Sequence, residues 1–376
     1  MKKKLLALIC ALVMIFSLAS CGLSTPDTVG KVGDFEVSSG LYLLAQFSAY
    51  QQAAQLAGTD QDTTDVKAFL KATITTDADT GDTALVKDYV AAKTLENLES
   101  FAAIDARFDQ LGGQLTDDQL QQANSYAQQL MDQYGSTYTA NGIGLETLKA
   151  FEQLQLKHSL LLTLVYGPDG ESPVDDSDLT EHLDSQMYEL AYVNIPLYNT
   201  STFVSASDDQ KAQMLTLAQQ AATAASCSET QDGSVSEQVS ALHSAASAAL
   251  PDIYAVLDST PAEDASNVQT ELLTESDLTG AFTQDGAADA VRGLVYGEAA
   301  AVQYNAASII LMMRIDPLQV STLDALRTQI LSDMKGDELE DALTAYGSTL
   351  ENNLSTSAMN KMPASKIVNP SSSSNS

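Results

Sequence analysis

The sequence predicts an α+β protein: a mostly helical domain assembled from both ends of the chain, with a small antiparallel or mixed sheet and its helices inserted as a second domain. Three observations predict it. Helical spacing of apolar residues runs to about residue 166 and resumes after 319. Two strand-like runs, 189–197 and 306–314, bracket the block between them and can lie side by side in one sheet. A valine-alternating segment opens the first helical region.

The first 20 residues stand apart from both domains. Lys2, Lys3 and Lys4 precede an apolar stretch from Leu5 to Leu18, the layout of a secretory signal and too short for a comfortable membrane span. Leu18-Ala19-Ser20-Cys21-Gly22 resembles a bacterial lipobox. The resemblance implies a diacylglycerol on Cys21, a tether over 21–28, and a chain held by lipid on the extracytoplasmic face of the cell membrane.

The helical domain is predicted over 29–170. Val29, Val32, Phe35 and Val37 alternate as a strand or hairpin before helical spacing begins. Leu98, Phe101, Ile104, Phe108 and Leu111 share one helix face, which Gly112-Gly113 ends. Thr116 with Gln119 opens a second helix as a capping box, expected to run to Gly135, and a third pattern stops at Gly167-Pro168. The inserted domain is predicted over 171–318: a helix capped near Asp175, the strand at 189–197, a helix over 207–226, and the closing strand with its core Ile309–Met312. Residues 227–268, rich in Ala, Ser and Asp, read as a loosely constrained insertion holding one helix. Over 319–368 two helices are expected to complete the first domain, one capped by Ser321–Asp324 and one carrying Leu339, Leu343, Tyr346, Leu350 and Leu354. The tail 369–376 is low-complexity and reads as disordered.

Composition narrows function. The formal net charge of −32 repels nucleic acid and anionic headgroups, so neither is an expected partner. With Cys10 in the signal and Cys21 lipidated, Cys227 has no partner for a disulfide and reads as a small inert residue. No metal or cofactor site is expected. "DADTGD" at 77–82 lacks the glycine register and closing glutamate of a calcium loop and reads as a solvated linker between helices. "GIGLET" at 142–147 lacks the third glycine of a dinucleotide fingerprint. His158, with Leu154 and Leu162 one turn either side, reads as packed at a helix boundary.

Four stretches carry a resemblance to extracytoplasmic foldases of the SurA/PrsA type: "VGKVGDFEVSSGLYLLA", "SPVDDSDLTEHLD", "DAVRGLVYGE" and "AASIILMMRID". They are similar, in that order, to the family's opening hairpin, the helix that introduces its parvulin unit, a Gly-Glu turn, and the last parvulin strand. The resemblance implies a helical chaperone domain around a parvulin-like domain, with unfolded or nascent secreted polypeptides as partners. It also exposes departures. Active parvulins carry histidines in the first and last strands; here Val193 or Asn194 takes the first position and Ser308 the second. Arg292 stands near the family's proline-binding aromatic, with Phe282 and Tyr296 offset from it. No catalytic residue is therefore assigned, and Val193, Phe282 and Ser308 are the residues expected around any surviving peptide groove.

Prolyl isomerisation needs an apolar slot and a desolvated pocket favouring the twisted amide over a barrier of about 18–20 kcal/mol, rather than a nucleophile. Losing both histidines and the aromatic floor favours a binding role: a tethered chaperone whose contact surface is an apolar groove between the N-terminal helices and the returning C-terminal segment. The alternatives are an active peptidyl-prolyl isomerase on the same scaffold and an envelope scaffolding lipoprotein.

Overall fold

The computed structural model describes residues 26–59, 61–78, 80–226 and 233–369. The signal, Cys21, Cys227, Asp79 and the tail from 370 onward lie outside the described residues. The fold is α+β, and none of its described helices is long and apolar enough to cross a membrane. Two compact units divide the described residues: those up to Pro173 together with those from Gly336 onward, and those between Val174 and Lys335.

In the first unit, strands β1 (Thr28–Val32) and β2 (Phe35–Ser38) form a hairpin, with Val29, Val32 and Val37 fully buried. The Ser38 hydroxyl accepts the Leu41 N–H and caps α1 (Ser39–Ala57). A one-turn helix α2 (Val66–Phe69) and a hairpin of β3 (Thr73–Thr75) and β4 (Thr83–Leu85) follow. The acidic loop at 77–82 thus joins two strands, not two helices. Within it Asp77 Oδ1 accepts the Thr80 N–H. Helix α3 (Val86–Gln110) ends just before Gly112. Helix α4 (Asp117–Ala140) starts at a Thr116/Gln119 capping box and runs through Gly135 to end beyond it. A single glycine costs only about 1 kcal/mol in a helix, too little to stop a long one. Helix α5 (Leu145–Tyr166) closes the N-terminal part.

The second unit opens with α6 (Asp176–Gln186) and β5 (Met187–Pro196), then α7 (Asp208–Ala225) and α8 (Val235–Ala255), each with a capping box. Helix α8 corrects the expectation of a loose insertion: Leu242, Ala246, Leu250 and Ile253 are buried against Ala218, Ala221 and Ala222 of α7. Small side chains let the two helices and the sheet pack closely, while giving little hydrophobic periodicity to read. Strand β6 (Gln269–Thr274), short helices α9 (Glu275–Ala281) and α10 (Ala287–Arg292), β7 (Ala299–Asn305) and β8 (Ser308–Arg314) complete the sheet, in the order β6-β5-β8-β7, all antiparallel.

After the short helix α11 (Pro317–Val320), the two expected C-terminal helices are one, α12 (Leu323–Gly347), which passes from the second unit into the first. The Thr322 hydroxyl, not Ser321, accepts the Ala325 N–H at its start. Leu350 and Leu354 fall outside the helix. Leu354 belongs to β9 (Asn352–Leu354), which pairs with β1 to make the three-stranded sheet β2-β1-β9, and α13 (Thr356–Met359) follows. Gly30 permits this pairing. Its φ is +131°, and a Cβ there would stand 2.4 Å from the Asn353 carbonyl oxygen.

Candidate functional site

The β5–β8 register pairs Val193 with Leu311, Asn194 with Ile310 and Pro196 with Ser308. Side chains alternate between the faces of a sheet. Ala191, Val193, Ile195, Ile309, Leu311 and Met313 enter the core under α7 and α8. Tyr188, Leu190, Ile310 and Met312 enter a second core, under α9 and α10, which includes Phe282. Val193 and Phe282 are therefore on opposite faces of the sheet, and the three-residue groove expected from the sequence is not assembled. The exposed Asn194 shares the side of Ile310 and, by strand parity, of Ser308.

On that face Phe282 is core, not lining. It is 6% exposed, packed among Leu278, Val291 and Leu294, with its ring centroid 5.4 Å from that of Tyr304. Arg292, near the expected aromatic position, is bound by Glu275 and Asp289. Arg314 lies between the rings of Tyr188 and Tyr296, 5.1 and 5.3 Å from their centroids, and Tyr296 donates to Asp184 at 2.8 Å. Burial first, and the Asp184 carboxylate second, push the Tyr296 phenol well above its ordinary pKa, keeping it a donor.

The imidazoles lie elsewhere. His182 Nε2 is 2.7 Å from Asp333, and His243 Nδ1 is 2.8 Å from the Ser266 carbonyl. In the first unit His158 Nε2 is 2.6 Å from Glu340 but poorly aligned for a hydrogen bond. None adjoins a nucleophile in the manner of a catalytic pair, and no cluster of three potential metal ligands occurs among the described residues.

Two of the clefts in the first unit bear on binding. One, of about 570 Å³, combines Phe35, Leu41 and Leu154 with Glu36, Glu146 and Lys157. Its cation is already committed: Lys157 Nζ lies 2.5 Å from Asp105 and 5.3 Å from the Phe108 ring centroid. The other, of about 420 Å³, has the more apolar lining and is the better candidate for binding polypeptide.

Three segments build the second cleft. Val90, Thr94 and Leu98, with Ala91 and Leu95 beside them, line it from α3 at helical spacing, while Tyr42 and Gln46 line it from α1. The returning segment supplies Asn352 and Leu354 of β9, then Met359 and Pro363. Thr94 hides its hydroxyl on the Val90 carbonyl at 2.6 Å, so a polar residue serves an apolar wall. Gln46 Nε2 donates to Tyr42 Oη at 3.1 Å and to the Met362 carbonyl at 3.2 Å, tying the returning segment to α1. Burial raises the Tyr42 phenol pKa, offset in part by the Gln46 bond. Sequence reasoning expected a groove between these segments but none of its residues. The 90/94/98 spacing was the signal available, and Thr94 in its middle disguised it.

No family model and no curated protein matches the chain. Among solved structures, the foldase protein PrsA from Streptococcus pneumoniae aligns at 14% identity and a TM-score of 0.35, covering 72% of this chain and 88% of its own. PrsA from Bacillus subtilis aligns at 12% identity and a TM-score of 0.27, covering 71% and 82%. Superposition at that level assigns neither family nor activity.

Proposed function

We propose that this chain is a lipid-anchored extracytoplasmic chaperone that holds unfolded secreted polypeptides and lacks efficient prolyl isomerase activity. The observation that carries the reading is the apolar cleft of about 420 Å³ between α1, α3 and the returning segment from β9 to Pro363. It is large enough to take several side chains of a client and contains no catalytic constellation. The lipobox-like Cys21 supports attachment at the membrane, where a secreted chain emerges. The absence of histidine from β5 and β8, and the filling of the sheet face by Phe282, support binding over isomerisation.

The test pairs two assays. Aggregation of an unfolded client should be suppressed only at stoichiometric amounts, and proline-limited refolding should not accelerate at catalytic amounts. Ala91 is exposed on the cleft wall, so Ala91→Arg should change stability by less than about 0.5 kcal/mol while abolishing suppression. Suppression unchanged in Ala91→Arg and in Leu95→Arg would sink this assignment of the cleft. Acceleration at catalytic amounts would favour the isomerase.

A further inference from the structure

The phase of the β1–β9 ladder fixes which backbone groups of β9 are in use. The Gly33 N–H donates to the Glu351 carbonyl at 2.8 Å, and the Ser355 N–H to the Val29 carbonyl at 2.8 Å. Residues 351, 353 and 355 therefore face β1, and Asn352 and Leu354, which alternate with them, turn their N–H and C=O groups to the outer edge. Those same two residues line the apolar cleft. Among the described residues, the Asn352 N–H, the Asn352 C=O and the Leu354 C=O accept or donate no hydrogen bond. The Leu354 N–H is met by the side chain of Asn352, whose Oδ1 lies 3.0 Å away. That oxygen occupies the place an incoming strand's carbonyl would take, and a single rotation of the side chain vacates it.

An open strand edge is ordinary when it faces bulk water. Here it belongs to residues that line an apolar cleft together with Val90, Thr94 and Leu98. A ligand that fills this groove must both bury apolar side chains and offer an alternating row of peptide donors and acceptors, which is the description of an extended polypeptide. We propose that clients bind by adding a strand to the outer edge of β9, as a short segment over about 10 Å of edge. Apolar side chains of the segment point into the cleft, and lysines or arginines flank them. The flanking charge follows from complementarity: the chain carries −32 overall, while the cleft lining holds no carboxylate and one cation, Lys87. The inference rests on the cleft's being the client site and adds the mode of recognition.

The experiment measures binding of the full chain to a short peptide with a central leucine, valine and threonine neighbours, and lysine pairs at its ends. Each peptide nitrogen is methylated in turn. Strand addition uses the N–H of every second residue, so affinity should fall about tenfold or more at alternate positions and little between them. Asn352→Pro, which removes an N–H that faces away from β1, should weaken the unmodified peptide to a similar degree. If that variant fails to fold, the methylation pattern stands by itself. Replacing the terminal lysines by glutamates should weaken binding by about tenfold at low salt.

A uniform or absent methylation effect would overturn edge addition. If Ala91→Arg still abolished binding in that case, the cleft would survive as a client site that reads side chains alone. A tighter glutamate-ended peptide would overturn the stated client chemistry. Failure of the unmodified peptide to bind, with aggregation suppression intact, would overturn this inference only; failure of both would remove the chaperone reading with it. A concentration-dependent dimer broken by Asn352→Pro, and not competed by peptide, would assign the edge to a second copy and overturn the proposal.

Discussion

The two larger sheets differ in what their surroundings leave open. The four-stranded sheet β6-β5-β8-β7 is covered on one face by α7 and α8 and on the other by α9 and α10, and all but the last residue of β8 are buried. The three-stranded sheet β2-β1-β9 buries its valines but leaves the outer edge of β9 beside an apolar cleft. The resemblance carried by the strand runs points to the first sheet as the place for chemistry. The structure makes that sheet a core and puts the accessible apolar space next to the second. Strongly apolar strands announce where a chain packs, which is a different question from where it binds.

The largest expected effect tests whether the first sheet is a core. Phe282 is buried among nine other apolar side chains of its cluster, so Phe282→Ala should cost about 3–4 kcal/mol in denaturant unfolding and leave client binding intact. A cost below about 1 kcal/mol, with binding lost, would return Phe282 to the role of groove residue and reverse the comparison.

The same contrast explains what the sequence disclosed. Strands β5 and β8 were legible because they are nearly continuous apolar runs, and the opening hairpin because its valines alternate. Burial on both faces, however, erases the period-two signal that tells one face from the other, so the choice between Val193 and Asn194 was undecidable before the register was known. Strand β6 was missed because it is an edge strand with three exposed residues at its start. The segment Asn352–Leu354 has poor intrinsic strand preference and is a strand only because β1 lies beside it. The open edge was therefore invisible in the sequence, and the cleft was legible only as a region.

A smaller effect comes from Glu189, 5% exposed on the face of β5 opposite Phe282. Burial, and then repulsion from Glu271, push its carboxyl pKa up to about 7 from 4.5. The folded-state pKa lies above the unfolded one, so the fold carries no penalty below about pH 4.5, loses stability as pH rises toward 7, and carries the full penalty above it. At 1.36 kcal/mol per unit the shift gives at most about 3 kcal/mol, and relaxation around the ionised carboxylate brings the expected value nearer 2 kcal/mol. Glu189→Gln should raise stability by that amount at pH 8 and leave it unchanged at pH 4. An equal gain at both pH values would mean that packing, not ionisation, limits the site, and that this face tolerates a buried carboxylate.

The smallest expected effect falls on Ser308, the residue at the head of the closing strand where the resemblance places a histidine. It is 8% exposed, and its hydroxyl has no hydrogen-bond partner among the described residues. Ser308→Ala therefore removes no internal bond and should shift unfolding by less than about 0.5 kcal/mol, with no change in proline-limited refolding. A measurable loss of refolding activity would show that the four-stranded sheet keeps a reactive pocket despite its packed faces. Silence at Ser308 combined with a large cost at Phe282 is the pattern of a sheet that serves packing and not chemistry, and it leaves the edge of β9 as the proposed place of contact with other polypeptides.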